Sequence, residues 1–218
     1  SYTRPVPHKT TPGHAGRVLS GVEAGALLRA EVAGLVGALA EMGKRVGLAT
    51  LLVGNDPASE AYVRIKHRNA VEAGIRSYDH RLPATAAQHE VEAFVDELNA
   101  NPEVDAFLVQ LPLPDHLDPA PVLERIFPRK DADGLHPHNL GRMVLGLPAP
   151  RPATPTGILR LLDHHNISTR GAQVVVVGRS SLVGRPLSIM LSARGHDATV
   201  TVAHAITQNL AGVTRLAD

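Results

Sequence analysis

The chain has no cysteine and no tryptophan in 218 residues, and only 3% of it is aromatic. Without cysteine there are no disulfides and no thiolate metal sites, and a reducing compartment is permitted. With so few rings, the 44% of hydrophobic residues must build a core from Val, Leu, Ile and Ala, which favours helices packed on buried parallel strands. No apolar stretch approaches the roughly 20 residues needed to cross a bilayer, so no membrane partner is expected. The formal net charge is +1 and there is no long basic block, so nothing points to nucleic acid. The twelve histidines are scattered. His136 and His138 flank a proline and His164 and His165 are adjacent, but no helix-spaced pair beside a carboxylate stands out, and no metal is expected.

Ser1 to Val22 contains no acidic residue and carries Arg4, Lys9 and Arg17. An organelle transit peptide shares that bias, but Pro5, Pro7 and Pro12 would break the helix it needs. Residues 1–17 are therefore read as a disordered tail.

The remaining chain reads as α/β, with strands separated by helix-length segments and hence parallel sheets. Leu27, Leu28, Val32, Leu35, Val36 and Leu39 recur at three- and four-residue intervals, predicting a helix over Glu23 to Met42 with one apolar stripe. Val46 to Val53 is a nearly continuous apolar run, as expected of a strand covered on both faces. Asp56 and Pro57 suit the N-cap and first position of a helix that runs to Ala73. A strand over Ile75 to Leu82, a helix over Ala87 to Ala100 and a strand over Asp105 to Leu111 follow.

From Pro112 to Pro155 prolines crowd the chain, and a connector with one short helix near Val122 to Ile126 is predicted. Thr154 is expected to cap a helix from Pro155 to His165. Strand Gln173 to Val177, helix Leu182 to Arg194, strand Thr199 to Ala203 and helix Thr207 to Ala217 complete the pattern. These limits divide the chain into an α/β domain over 18–150 and the first half of a Rossmann-like domain over 151–218. A two-stranded sheet buries too little to stand alone, so further chain beyond Asp218 is expected.

Side chains four apart on a helix share a face, which points Tyr62 and Lys66 together. Ligands in parallel α/β sheets collect beyond the carboxyl ends of strands. Gln110 closes one such strand, and Asp133 sits in a glycine-containing turn. A phenol, an amine, a carboxamide and a carboxylate are thus expected around one cavity, a grouping suited to a polar heterocycle. In the second half, Gly178 follows a run of four valines and Gly184 lies near the start of a helix. Such a turn allows tight approach of strand and helix, and the helix start presents free backbone N–H groups to phosphate. No Asp or Glu ends the next strand to hold a ribose hydroxyl, while Arg179 in the turn could meet a 2′-phosphate.

Taken in order, these segments resemble the bifunctional methylenetetrahydrofolate dehydrogenase/cyclohydrolase family. The resemblance rests on Leu52-Val53-Gly54-Asn55-Asp56-Pro57-Ala58-Ser59, Tyr62-Val63 with Lys66, and Phe107-Leu108-Val109-Gln110-Leu111-Pro112. It continues through Lys130-Asp131-Ala132-Asp133-Gly134, His136-Pro137, Asn139, Gly141-Arg142 and Thr154-Pro155. Its last part is Gly178-Arg179-Ser180 with Val183-Gly184-Arg185-Pro186.

The resemblance implies a cytoplasmic, NADP-dependent enzyme, commonly a homodimer, that acts on tetrahydrofolate derivatives. It would oxidise the 5,10-methylene form to the 5,10-methenyl form and hydrolyse that to the 10-formyl form. It implies that Lys66 is the key residue of the hydrolysis, that Gln110 assists it, that Tyr62 lies against the folate and that Asp133 anchors the pterin. Gly178, Arg179, Ser180, Val183, Gly184 and Pro186 would form the nucleotide turn. Whether Lys66 acts as a base or stays charged and polarises a water or alkoxide is open. Two departures stand out: Ala205 replaces a serine common in the family after the histidine of the last strand, and Ala153 replaces a cysteine. The alternative is a truncated or decayed paralogue that binds folate or nucleotide without full turnover.

Overall fold

The computed structural model describes residues 18–218, so the expected tail lies outside the described residues. Helix α1 spans Gly21–Glu41, with the Ser20 hydroxyl accepting from the Val22 N–H. Strand β1, Gly47–Val53, is buried along almost its whole length. Asp56 then caps helix α2, Pro57–Glu72, by accepting from the Ser59 N–H at 2.8 Å. Strand β2, Arg76–Leu82, helix α3, Gln88–Ala100, and strand β3, Ala106–Val109, follow. The strands form a parallel sheet in the order β2-β1-β3. Central β1 and the adjoining β3 are the apolar strands, while β2 at the other edge carries Arg76, Asp79 and Arg81. Leu51, Val53, Val91, Val95, Phe107 and Val109 form the core of this part.

The proline-rich stretch is more regular than the sequence suggests. Besides α4, Pro119–Arg125, it holds a 3-10 turn at Pro128–Lys130 and a helix α5, Pro137–Val144. The prolines open these elements rather than interrupt them. Pro119, Pro128 and Pro137 each occupy a first-turn position, where a missing N–H costs nothing.

Helix α6 spans Ala153–His164 with Pro152 as its N-cap, so Thr154 lies in the first turn and does not cap it. Strands β4, Gln173–Val177, and β5, Thr199–Ala203, pair in parallel on either side of α7, Gly184–Ser192. The last helix, α8, is only Leu210–Thr214, shorter than predicted. Met143, Leu159, Val176, Leu187, Met190 and Leu191 make a second core. The Asp218 N–H donates to the Gln173 carbonyl at 3.0 Å, and its side chain accepts from the Gln173 N–H at 2.8 Å.

The apolar stripe of α1 is a second difference. Periodicity places Leu27, Leu28 and Leu35 on one face, yet none is buried and α1 has no buried residue among those described. The stripe is real as a pattern but largely open to water; α1 packs mainly against α6.

Candidate active site

Strand β3 ends at Val109, two residues before the predicted limit at Leu111, and leaves Gln110 just past its carboxyl end. Gln110 is nonetheless held firmly. Its N–H donates to the Leu51 carbonyl of β1 at 2.8 Å, and its Nε2 donates to the Leu111 carbonyl at 2.7 Å. With the amide nitrogen committed, the oxygen must face the other way, and there Lys66 Nζ donates to Oε1 at 3.2 Å. Two elements distant in sequence thus meet over the end of the sheet.

Asp133 arrives by a different route. Asp131 pairs alongside Phe107 of β3, and the Ala132 N–H donates to the Phe107 carbonyl at 3.1 Å. Asp131 itself is buried, and its Oδ2 accepts from the His136 N–H at 2.8 Å and from Asn139 Nδ2 at 2.9 Å. Neighbouring Lys130 is also buried, donating to the carbonyls of Leu98 at 3.1 Å and Asn101 at 2.8 Å near the end of α3. Those carbonyls have no partner within the helix, and the ammonium satisfies them. Burial holds the Lys130 amine below its ordinary value.

The turn after Asp133 needs glycine. Gly134 has φ +67°, and a Cβ there would lie 2.3 Å from the Arg151 carbonyl carbon and 2.7 Å from the Pro152 nitrogen. Close approach brings the start of α6 beside Asp133.

The result is a cavity of about 220 Å³ whose wall includes Lys66, Gln110, Asp133, Leu135, Thr154 and Leu182. It draws on both halves of the chain. Asp133 has its carboxyl pushed above the ordinary range, first by burial; the nearby Asp131 charge adds to this and Lys66 opposes it. Among the described residues Lys66 and Asp133 form no ion pair within 4 Å. The cavity therefore presents a donor-bearing cation, an oriented carboxamide and a partly desolvated carboxyl, an array that can bind the polar edge of a heterocycle and move a proton.

Tyr62 is placed differently from the other three. It lies one helical turn before Lys66, is 61% exposed and is not part of the wall. Leu135, Thr154 and Leu182 were not singled out as site residues in the sequence. Apolar residues in turns carry no periodic signal, and nothing local shows that α6 folds back against the Asp133 turn.

The second half supplies a strand-turn-helix with the features a dinucleotide requires. Gly178 adopts φ +131°. A Cβ on Gly184 would sit 2.2 Å from the Gly178 carbonyl oxygen, so the start of α7 touches the turn directly. Ser180 Oγ accepts from the N–H groups of Val183 at 3.1 Å and Gly184 at 3.3 Å. Arg179 is exposed and Pro186 is buried in the first turn of α7. Strand β5 ends at Ala203, followed by His204, with no acid at the position that would hold a ribose hydroxyl. These residues fit a phosphorylated dinucleotide.

Comparison with known proteins agrees with both halves. Residues 19–133 match the model of the tetrahydrofolate dehydrogenase/cyclohydrolase catalytic domain, and residues 152–218 match that of its NAD(P)-binding domain. The chain belongs to the tetrahydrofolate dehydrogenase/cyclohydrolase family. Among solved structures, the bifunctional methylenetetrahydrofolate dehydrogenase/cyclohydrolase of Campylobacter jejuni is 39% identical, with a TM-score of 0.88 over 92% of this chain and 71% of that one. The 5,10-methylenetetrahydrofolate dehydrogenase of the silkworm Bombyx mori is 34% identical, with a TM-score of 0.89 over 94% and 74%. The dehydrogenase-cyclohydrolase of Trypanosoma brucei, solved with NADP and an inhibitor, is 34% identical, with a TM-score of 0.86 over 91% and 68%. Lys66, Gln110 and Asp133 fall in the first matched domain, and the Gly178 turn with Thr154 and Leu182 in the second.

Proposed function

We propose that this protein oxidises 5,10-methylenetetrahydrofolate with NADP and hydrolyses the methenyl product to 10-formyltetrahydrofolate. The observation that carries this reading is the Lys66–Gln110 hydrogen bond at the rim of a cavity that also contains Asp133. Bound NADP would supply the acceptor for the hydride that leaves the methylene carbon. Ser180, the backbone of Gly178 and the start of α7 would hold its phosphates, and Arg179 its 2′-phosphate. Support for NADP over NAD comes from Arg179, from the missing acid after β5 and from the NADP bound to the Trypanosoma brucei relative.

In the hydrolysis, water adds to the methenyl carbon and gives up a proton. The bond from that carbon to one ring nitrogen then breaks; the nitrogen keeps the electron pair and takes a proton, while the hydroxyl left on the carbon becomes the formyl carbonyl and releases its own proton to solvent. Lys66, the cation in the wall, carries the nitrogen's proton: its ammonium hands one to the departing ring nitrogen, and the amine so formed takes up the one released by the water. Gln110 fixes the Lys66 nitrogen through its oriented oxygen. Asp133 meets the donor edge of the pterin, and Tyr62, on the exposed turn before Lys66, lies against the folate outside the cavity wall. The test is direct: purified protein is assayed for NADPH formation from methylenetetrahydrofolate, with NAD in parallel, and for loss of the methenyl absorbance. Both reactions with a preference for NADP are the expected outcome. Absence of both in folded protein would refute the reading and favour a binding-only paralogue.

A further inference from the structure

Five residues of one turn face two different cavities. Gly178, Ser180, Val183 and Gly184 border a groove of about 660 Å³ that runs along β4. Between them in sequence, Leu182 lines the smaller cavity of Lys66, Gln110 and Asp133. The turn is short and stiffly tied. Ser180 Oγ takes the N–H groups of Val183 and Gly184, and the Ser180 carbonyl accepts from the Arg185 N–H at 3.0 Å. Leu182 hangs between these ties, 39% exposed, an apolar side chain presented to whatever enters the cavity.

We propose that Leu182 couples the two sites, moving out of the folate cavity when a dinucleotide phosphate binds the turn. The proposal rests on the function argued above and names a positioning residue within it. Phosphate oxygens would compete for the same two N–H groups that Ser180 Oγ now occupies, since those donors at the start of α7 have no partner within the helix. Evicting or sharing the hydroxyl shifts residues 180–183 as a unit. The direction follows from size. The cavity is about 220 Å³, below the roughly 300 Å³ at which sites for molecules of this class begin. Withdrawing Leu182 from the wall enlarges it, so nucleotide and folate should favour each other. Linkage makes the effect reciprocal.

The experiment measures the dissociation constant of NADP by calorimetric titration, with and without saturating tetrahydrofolate, which cannot donate the hydride. In the unsubstituted protein tetrahydrofolate should tighten NADP about fivefold or more, the lower range of measured couplings. Leu182→Ala opens the cavity without nucleotide. It should bind tetrahydrofolate more tightly alone and bring the ratio to within about twofold of one. Leu182→Met, of similar volume, should keep the coupling, and Leu182→Val carries the truncation test if the alanine protein folds poorly. An unchanged ratio in the truncated protein, or a ratio of one in the original, overturns the coupling and leaves the functional reading standing. Tetrahydrofolate that fails to bind the unsubstituted protein overturns that reading as well.

Discussion

Replacing Lys66 by Met separates the chemistry of the site from its architecture. Met has similar reach and volume but neither charge nor donor. The substitution removes one hydrogen bond, from Nζ to Gln110 Oε1 at 3.2 Å, and leaves the other two ties of Gln110 in place. A buried acceptor that loses its donor costs about 1–3 kcal/mol, and the low end applies because the cavity admits water. About 1 kcal/mol in a chain of this size lowers Tm by roughly 2–4 °C. The catalytic loss should be far larger. A positioned proton carrier contributes about 10²–10⁴-fold, or roughly 3–5 kcal/mol of barrier. Thermal unfolding and decay of the methenyl absorbance, measured on the same preparation, should thus show an almost intact fold with hydrolysis nearly abolished. Hydrolysis at the original rate would end the assignment of Lys66. A collapse in Tm matching the loss of rate would make the residue structural.

Two further substitutions probe the other walls. Asp133→Asn removes a carboxyl whose folded pKa lies above its ordinary 3.8. A group raised in this way favours folding below its unfolded pKa and loses that contribution as pH rises through the folded one. Urea unfolding should therefore find Asp133→Asn more stable than the original at pH 8, with the advantage narrowing toward pH 4. Its tetrahydrofolate affinity should fall about tenfold or more through loss of a charge-assisted hydrogen bond of about 1.5–3 kcal/mol, and equal stability at every pH would contradict the burial of that charge. Gly184→Ala sets a methyl 2.2 Å from the Gly178 carbonyl oxygen and 3.0 Å from the Arg179 Cα, with backbone on both sides and no flexible chain to yield. Overpacking of this kind costs about 1–3 kcal/mol and displaces the Val183 and Gly184 amides, so NADP titration should show at least about a tenfold loss of affinity; unaltered binding would mean that the close contact is dispensable.

What the sequence disclosed and what it withheld divide along a physical line. Strand β1 and helix α2 were legible because a continuous apolar run and an Asp-Pro start are local signals, and they bring Lys66 to the sheet end with little help from elsewhere. Gln110 was legible as a residue but not as a conformer. Its useful orientation depends on Nε2 reaching the Leu111 carbonyl, which no spacing rule encodes. Helix α5 was lost because Pro137 reads as a breaker when it is in fact an opener. Its loss hid what Asn139 does: its bond to Asp131 fastens the segment leading to Asp133.

Tyr62 shows the limit of periodicity. A four-residue spacing aligns side chains on a helix, but the wall of a cavity curves away within one turn, and the outer residue is left in solvent. Periodicity thus supplies direction along one element. Depth comes from the elements that close over it, here the Gly134 turn against Arg151 and Pro152. That dependence explains why the residues joining the two halves, Thr154 and Leu182, were the hardest to see: each earns its place only through a contact made by the other half of the chain.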